Sequence, residues 1–254
     1  LKERCRPRGV PGSWLTGAFG NTGDGHQMGL AVGAAEDDFP HAIMLDPEQL
    51  MPYLRVNKLG ERFTPEYEPY GHLALAIQAQ PGTYDFYVVD SAIGEKIDKI
   101  WTPSSSCYGP KEMWTAAAMS EKALKADTLE ELAKLMEVPE AQFVATIERW
   151  NEMVAAGKDE DFNFPGEMMM TIDTPPYYAT KEFADGLCTA GGLLVDTECR
   201  VLDKDRQPID GLFAIGLTSG GMFFNTYPHN LNCLSHTRNC LMGYTVGQVL
   251  GDKA

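Results

Sequence analysis

Positive charge is scarce in this chain. Its 254 residues carry 21 Lys and Arg against 36 Asp and Glu, a formal net charge of −15. Nucleic acids and anionic membrane surfaces are recognised through clustered Lys and Arg, so neither is expected as a partner. No run of about 18 apolar residues occurs, which removes the sequence signal for a transmembrane helix. There is no signal-peptide pattern, and the first residue is Leu rather than Met. The expectation is a fragment whose true N-terminus and targeting signal lie elsewhere. Metal-ligand spacing is also missing. Cys5, Cys107, Cys188, Cys199, Cys233 and Cys240 form no CxxC pair, and His26, His41, His72, His229 and His236 form no HExxH or HxH group. The cysteines are read as mostly buried thiols rather than a disulfide scaffold. A GxSxG elbow and a P-loop are absent, which weakens hydrolase and nucleotide triphosphatase readings. What remains is an ordinary balance, 44% hydrophobic and 22% charged, with enough core for one large domain or two small ones.

The pattern of elements follows from local chemistry. Residues 1–22 are rich in Gly, Pro and Arg and read as loop. Gly23 and Gly25 suit a tight turn, and Asp24 is expected to cap a helix reaching Ala35. Tyr53 to Phe63 reads as a hairpin and His72 to Gln80 as a helix ended by Pro81-Gly82. Tyr84 to Val89 is the clearest strand of the first half. Asp127-Thr128 with acidic Glu130 and Glu131 reads as the N-terminal cap of one helix, and Pro139 opens a second with Phe143, Ile147, Trp150, Met153 and Val154 on one face. Residues 158–176 are polar and read as a connection. From Tyr177 the character changes: an extended segment, the Gly191-Gly192 pair, a polar hairpin turn over Val201 to Pro208, and a short buried strand, Gly211 to Gly216. A Gly-rich aromatic loop over 217–234 leads into a closing helix from Ser235 to about Leu250.

A buried strand ending in Gly, then a Gly-Gly loop, then a helix builds a ligand crevice at the carboxyl end of an open sheet. The helix start at Ser235-His236 offers free backbone N–H groups and partial positive charge, suited to a phosphate or to a flat anionic cofactor. On these residues alone, a plain strand–loop–helix with a serine cap stays open as the alternative.

The motifs, taken in order, carry a resemblance. Gly211-Leu212-Phe213-Ala214-Ile215-Gly216, followed by Thr218-Ser219-Gly220-Gly221, resembles the "GL[YF]A.G..[TS]GG" signature of flavoproteins in the fumarate reductase and succinate dehydrogenase superfamily. Thr189-Ala190-Gly191-Gly192-Leu193 with Asp196 is similar to its "TxGG…(N/D)T" strand, and Thr22-Gly23-Asp24-Gly25 with Met28 to its "TGDG..M" turn. Asn57 to Phe63 resembles its "N..G.RF" hairpin. Thr128 to Ala133, then Trp150-Asn151 and Gly157 to Phe162, resembles its paired helices. The GxGxxG turn that cradles the FAD pyrophosphate in such proteins is absent.

The resemblance implies FAD as cofactor. It implies an α+β cap domain plus the C-terminal strand–loop–helix part of an α/β, Rossmann-like FAD-binding domain. The expected division is 1–35, a remnant of the FAD-binding domain; 36–176, the cap or substrate domain; and 177–254, the C-terminal FAD-contacting segment. The missing N-terminal half, or a partner chain, would complete the flavin site. Residue by residue, the resemblance assigns Asp24, Cys188, Gly216, Leu217, Ser235 and His236 to the cofactor. The side chain of Leu217 cannot hydrogen-bond, so any contact there is backbone or apolar.

The resemblance also marks a departure. The arginines that clamp a dicarboxylate in fumarate-reducing members fall on Tyr70 and Tyr227, and the histidine pair falls on Leu187 and Cys188. A dianion loses its bidentate charge-assisted bonds, so fumarate is not the expected substrate. Asn225-Thr226-Tyr227-Pro228 resembles the "TYPG" loop of flavin-dependent 3-ketosteroid dehydrogenases, although His229, Asn230 and Leu231 replace the glycines that follow. A phenol can polarise a ketone or hand over a proton. Tyr227 and Tyr70 are therefore the catalytic candidates. Phe223, Phe224 and His41 are the substrate-binding candidates, and Phe223, Phe224, Met222 and Tyr227 would give an apolar, aromatic pocket wall. The implied activity is a flavin-dependent oxidoreductase. It would move a hydride to or from a C–C bond next to a carbonyl or conjugated group of a neutral or aromatic small molecule. A 3-ketosteroid-type dehydrogenase and a non-catalytic fragment or subunit are the alternatives.

Overall fold

The computed structural model describes residues 22–38, 43–47, 51–68, 70–101, 110–223, 227, 231 and 233–251. Along the chain run α1 (Asp24–Ala31), β1 (Ile43–Pro47), β2 (Leu54–Val56), α2 (Tyr70–Gln78), β3 (Tyr84–Asp90), α3 (Ile93–Lys96), α4 (Lys111–Ala118), β4 (Leu124–Ala126), α5 (Leu129–Met136), α6 (Glu140–Ala156), β5 (Tyr177–Thr189), β6 (Arg200–Leu202), β7 (Pro208–Phe213) and α7 (Leu234–Gly251). The fold is mixed α/β, in two compact units. Unit 1 comprises Leu1–Asp46 and Asp185–Ala254, and unit 2 comprises Pro47–Ala184. The sequence motifs place the corresponding divisions after residues 35 and 176.

Unit 2 is built on antiparallel β2, β3 and β5, with β4 paired to the start of β5. Side chains alternate across a strand, so each face collects its own set. One face presents Leu54, Val56, Phe86, Val88 and Ala179 to a core shared with Leu132, Phe143, Ile147, Trp150 and Met153. The last four recur every three or four residues on α6, the spacing that gives a helix one apolar stripe. Thr128 caps α5 by accepting the Glu131 N–H at 3.2 Å. Pro139 precedes the first helical residue of α6, and Gly157 (φ 67°) ends it in the left-handed region.

The opposite face carries Tyr53, Tyr87 and Val89 toward Ile93, Ile97, Ile100 and Ala118. It also carries three buried charges, Arg55, Asp85 and Glu182. Asp85 lies directly across the ladder from Glu182. Like charges in that position repel, and Arg55 resolves the conflict. Its Nη1 donates to Asp85 Oδ2 at 2.8 Å and also to Glu182 Oε2. Burial raises the pKa of Asp85 against the opposing pull of Arg55. A second guanidinium, Arg62, donates to both oxygens of Glu66 (2.8 and 2.6 Å) and both of Asp159 (2.7 and 2.8 Å). It lies 4.8 Å from the Trp150 ring centroid and 4.9 Å from that of Phe162. Burial pushes the Glu66 carboxyl up to about 7 despite the bonds from Arg62, whose charge it shares with Asp159.

Unit 1 is sparser. Gly23 (φ 82°) takes the N-cap position of α1, so Asp24 is the first helical residue rather than the cap. Its Oδ1 accepts from the Thr22 hydroxyl at 2.8 Å. The helix stops at Ala31, four residues short of the expected end, because Val32 and Gly33 (φ 90°) turn the chain. Beyond it, Ala34, Leu193, Val201 and Ala214 form a small core. β6 and β7 pair as a hairpin. The expected buried strand from Gly211 to Gly216 is corrected here. Pairing ends at Phe213, Gly211 has φ 73°, and Ile215 is 41% exposed. The burial expected of the cysteines holds for Cys199 but not for Cys233 and Cys240, which are exposed on and beside α7. Among the described residues no helix is long and apolar enough to cross a membrane, and no His, Cys, Asp and Glu cluster could hold a metal ion.

Candidate functional site

The site is built from one loop, residues 216–223, and the helix that follows. Leu193 and Ser219 form a parallel bridge: the Leu193 N–H donates to Thr218 O at 2.9 Å, and the Gly220 N–H to Leu193 O at 2.7 Å. This brings two backbones closer than side chains permit. A Cβ at Gly192 would lie 2.2 Å from Thr218 O, and one at Gly220 would lie 2.1 Å from Asp37 Oδ2. Glycine is required at both by close approach. Gly216 (φ 67°) and Gly221 (φ 81°) are in the left-handed region, and around Gly221 a Cβ would meet nothing within 4 Å. The loop thus presents bare backbone on an open side.

Two charged side chains fix the loop. Asp37 accepts the Gly192 N–H at 3.1 Å and the Gly221 N–H at 2.9 Å. Arg238, on the second turn of α7, donates from Nη1 to Gly216 O (3.1 Å). Its Nη2 donates to Ser219 O (3.1 Å), Ser219 Oγ (2.8 Å) and Gly220 O (3.1 Å). Arg238 is 8% exposed, and its guanidinium lies 5.7 Å from the Phe223 ring centroid. Desolvation lowers its pKa, with Asp37 pulling the other way.

Beyond the loop, Phe223 and Tyr227 pack at a ring-centroid distance of 5.0 Å, buried together with Ala190. The Tyr227 hydroxyl accepts the Ser235 N–H at 2.8 Å. The N-terminal amides of a helix lack partners within it, so this phenol caps α7.

The structure therefore brings Phe223, Tyr227 and Ser235 together. It sets Gly216 and Leu217 in the loop held by Arg238, and Gly25 of α1 beside Thr218, whose Cγ2 would lie 3.0 Å from a Cβ added at Gly25. Asp24 is exposed at the start of that helix, and His236 is exposed one residue after Ser235. Met222 is 47% exposed. Tyr70 begins α2 in unit 2 and Cys188 lies in β5, but the side chains of both fall outside the described set, as do His41 and Phe224 entirely. Arg238 and Asp37 escaped the sequence reading. For Arg238 a signal existed: it is the one charged residue between Leu234 and Gly251. Asp37 sits within Glu36-Asp37-Asp38, and nothing separates it from its neighbours by type.

Residues 3–234 match the family described as "FAD binding domain". A probable fumarate reductase of Shewanella frigidimarina is 29% identical over 246 residues, which cover 92% of this chain and 38% of that protein. A 3-oxosteroid 1-dehydrogenase of Mycolicibacterium smegmatis is 30% identical over 254 aligned positions, covering 85% of this chain and 43% of that protein. The chain spans less than half the length of these relatives. Among solved structures, the 3-ketosteroid Δ1-dehydrogenase of Sterolibacterium denitrificans shares the fold. Its TM-score is 0.79 at 24% identity, over 100% of this chain and 51% of that one. An open flavocytochrome c3 fumarate reductase gives 0.62 at 28% identity, over 89% and 39%.

Proposed function

The chain belongs to the FAD binding domain family, and on that premise we propose that it is part of a flavin-dependent oxidoreductase acting on a C–C bond next to a carbonyl or conjugated group. Unit 1 is read as the cofactor-contacting part and unit 2 as the cap. The observation that carries the reading is the bare backbone of the 216–221 loop leading to the capped N-terminus of α7. Its donors are backbone amides and a phenol, a set that fits a flat, polar cofactor better than a metal ion. FAD, when bound, supplies the acceptor or donor of hydride.

This chain's own residues supply the rest. Gly216, Leu217 and His236 offer main-chain groups to the cofactor, with Asp24 and Cys188 as further contacts, while the Ser235 N–H is held by Tyr227. Amides at a helix start favour the negative charge that gathers on a reduced flavin. Tyr227, held by the Ser235 N–H, donates its hydroxyl hydrogen to the substrate carbonyl, and Tyr70 is the alternative proton-handling residue. Phe223 is the substrate-facing aromatic, with Phe224 and His41 as further candidates. With tyrosines where carboxylate-clamping arginines are expected, the substrate class is a neutral or aromatic ketone or enone rather than a dicarboxylate. A relative of Sinomonas cyclohexanicum, 26% identical, is named for a 4-oxocyclohexanecarboxylate. With the 3-oxosteroid relatives, it makes a ring ketone the first substrate to try.

A second observation concerns partners. Met28, Val32, Leu241 and Tyr244 in unit 1 are 59–71% exposed. So much large apolar surface favours a further polypeptide, from the same protein or a partner chain, that covers unit 1 and completes the flavin site.

The test is direct. Produced together with the polypeptide that completes its flavin site, the chain is expected to keep visible flavin absorbance after gel filtration; a colourless complex overturns the flavin reading. In the flavin-loaded enzyme, Tyr227→Phe is expected to lower turnover of a cyclic enone or ketone by about 10²-fold or more with flavin still bound. Unchanged turnover removes Tyr227 from the chemistry.

A further inference from the structure

Arg238 stands where a cation is poorly placed. It lies near the N-terminus of α7, where the helix dipole is already positive, and it is nearly buried. Such a residue is costly unless its donors are met, and here they are met by the loop itself. Three carbonyls, of Gly216, Ser219 and Gly220, and the Ser219 hydroxyl converge on one guanidinium. On the other side, Asp37 gathers the amides of Gly192 and Gly221.

The consequence follows from peptide geometry. A trans peptide is planar, and its C=O and N–H point in opposite directions. Gly216 O is held by Arg238 together with the Ser219 N–H (3.1 Å) and hydroxyl (2.7 Å), so the Leu217 N–H points the opposite way. In the next peptides that Arg238 holds, the N–H groups are taken within the protein: Gly220 by Leu193 O and Gly221 by Asp37. Leu217 is the position whose side chain can offer a ligand no polar group. Its backbone orientation decides what it offers.

We propose that Arg238 is a positioning residue for the cofactor. By holding the Gly216, Ser219 and Gly220 carbonyls against the grip of Asp37, it fixes the 216–221 loop with the Leu217 N–H turned outward for the flavin. The inference rests on the flavin reading above, and the experiment separates the two.

Four proteins are compared: wild type, Arg238→Met, Arg238→Lys and Val201→Ala. The last removes methyl groups from the small core of unit 1 without touching the loop. Hydrogen–deuterium exchange reads the loop, and FAD titration followed by flavin fluorescence reads the cofactor. Arg238→Met is expected to speed exchange of the 217–221 amides by about tenfold or more and to raise the FAD Kd by a similar factor. Val201→Ala is expected to change neither by more than about twofold. Arg238→Lys is expected to stay nearer Met than wild type, because four acceptors converge on a fork that an ammonium cannot reproduce. Unchanged exchange in Arg238→Met overturns the proposal. So does faster exchange with unchanged Kd, full recovery by Lys, or a Val201→Ala protein that behaves like Arg238→Met. If wild type binds no FAD, the flavin reading falls and the cofactor half of this proposal with it. The exchange data then still decide whether Arg238 holds the loop.

Discussion

Two helices of nearly equal length frame the contrast between the units. In unit 2, α6 buries Phe143, Ile147, Trp150 and Met153 in 17 residues. In unit 1, α7 runs for 18 residues and buries Arg238 alone. The apolar clusters follow suit among the described residues: seventeen and nine buried members in unit 2, four and three in unit 1. Unit 2 can offset the entropy of its own ordering through burial. The described residues of unit 1 show close glycine contacts and two charged side chains that grip backbone. Units that hold themselves together differently should fail differently.

The largest expected effect tests the closed unit. Arg55→Met leaves Asp85 and Glu182 facing each other in a dry sheet, and unit 2 should lose about 3–5 kcal/mol. Urea unfolding with hydrogen exchange assigns the loss. Faster exchange in β2, β3 and β5 is expected, with the 216–221 loop unaffected. A loss under about 1 kcal/mol would mean that the buried charges are not what closes this face.

A smaller effect sharpens the contrast through pH. The Glu66 carboxyl is raised from 4.5 to about 7 in the fold. A raised carboxyl contributes stability that is whole below its unfolded pKa and is lost as pH rises through the folded one. Burial alone would raise Asp159 too. The bonds from Arg62 and from the Phe164 and Asp161 amides instead hold it below the usual range, ionised throughout this window. Wild-type unit 2 should therefore lose stability from about pH 5 to about pH 8, and Glu66→Gln should flatten that slope. Parallel slopes in the two proteins would discard this account of Glu66.

The smallest effect concerns α7. Leu241 is 61% exposed. Leu241→Ser should shift the stability of the chain by no more than about 0.5 kcal/mol. A cost above about 2 kcal/mol would show that α7 is packed in solution and that the contrast is overstated.

Local signals made much of this legible. The cap at Asp127-Thr128, the start of α6 at Pro139, its apolar stripe and β3 all follow from spacing within a few residues. So does the turn at Asn57–Gly60, where the Asn57 carboxamide oxygen accepts the Leu59 and Glu61 amides. Reading failed where the partner is distant. Arg55 meets Glu182 127 residues away, and no pattern around either announces a buried ion pair. Asp24 was read as a cap because its type allows it, but Gly23 holds the conformation that decides the position. The Gly211–Gly216 segment looks buried by composition, yet only its first three residues lie in a strand, the end of a two-stranded hairpin. Motif order located Gly216, Ser235 and Tyr227. That Tyr227 would meet Ser235 through its hydroxyl, and that Arg238 would organise the loop, depends on three-dimensional placement alone.

The 2.1 Å between a Cβ at Gly220 and the Asp37 carboxylate has a bearing on how this loop can change over time. Alanine at 220 collides with the acid, and loss of the acid strands two glycine amides. Either step alone is harmful. After Asp37→Gly, however, the acid oxygen is gone, and an added methyl at 220 meets the Gly192 carbonyl 2.6 Å away in its place. The two substitutions should therefore combine non-additively, as contacting residues do. The cost of changing either residue thus depends on whether the other has already changed, and the Gly192 carbonyl keeps position 220 closed to a side chain in both cases.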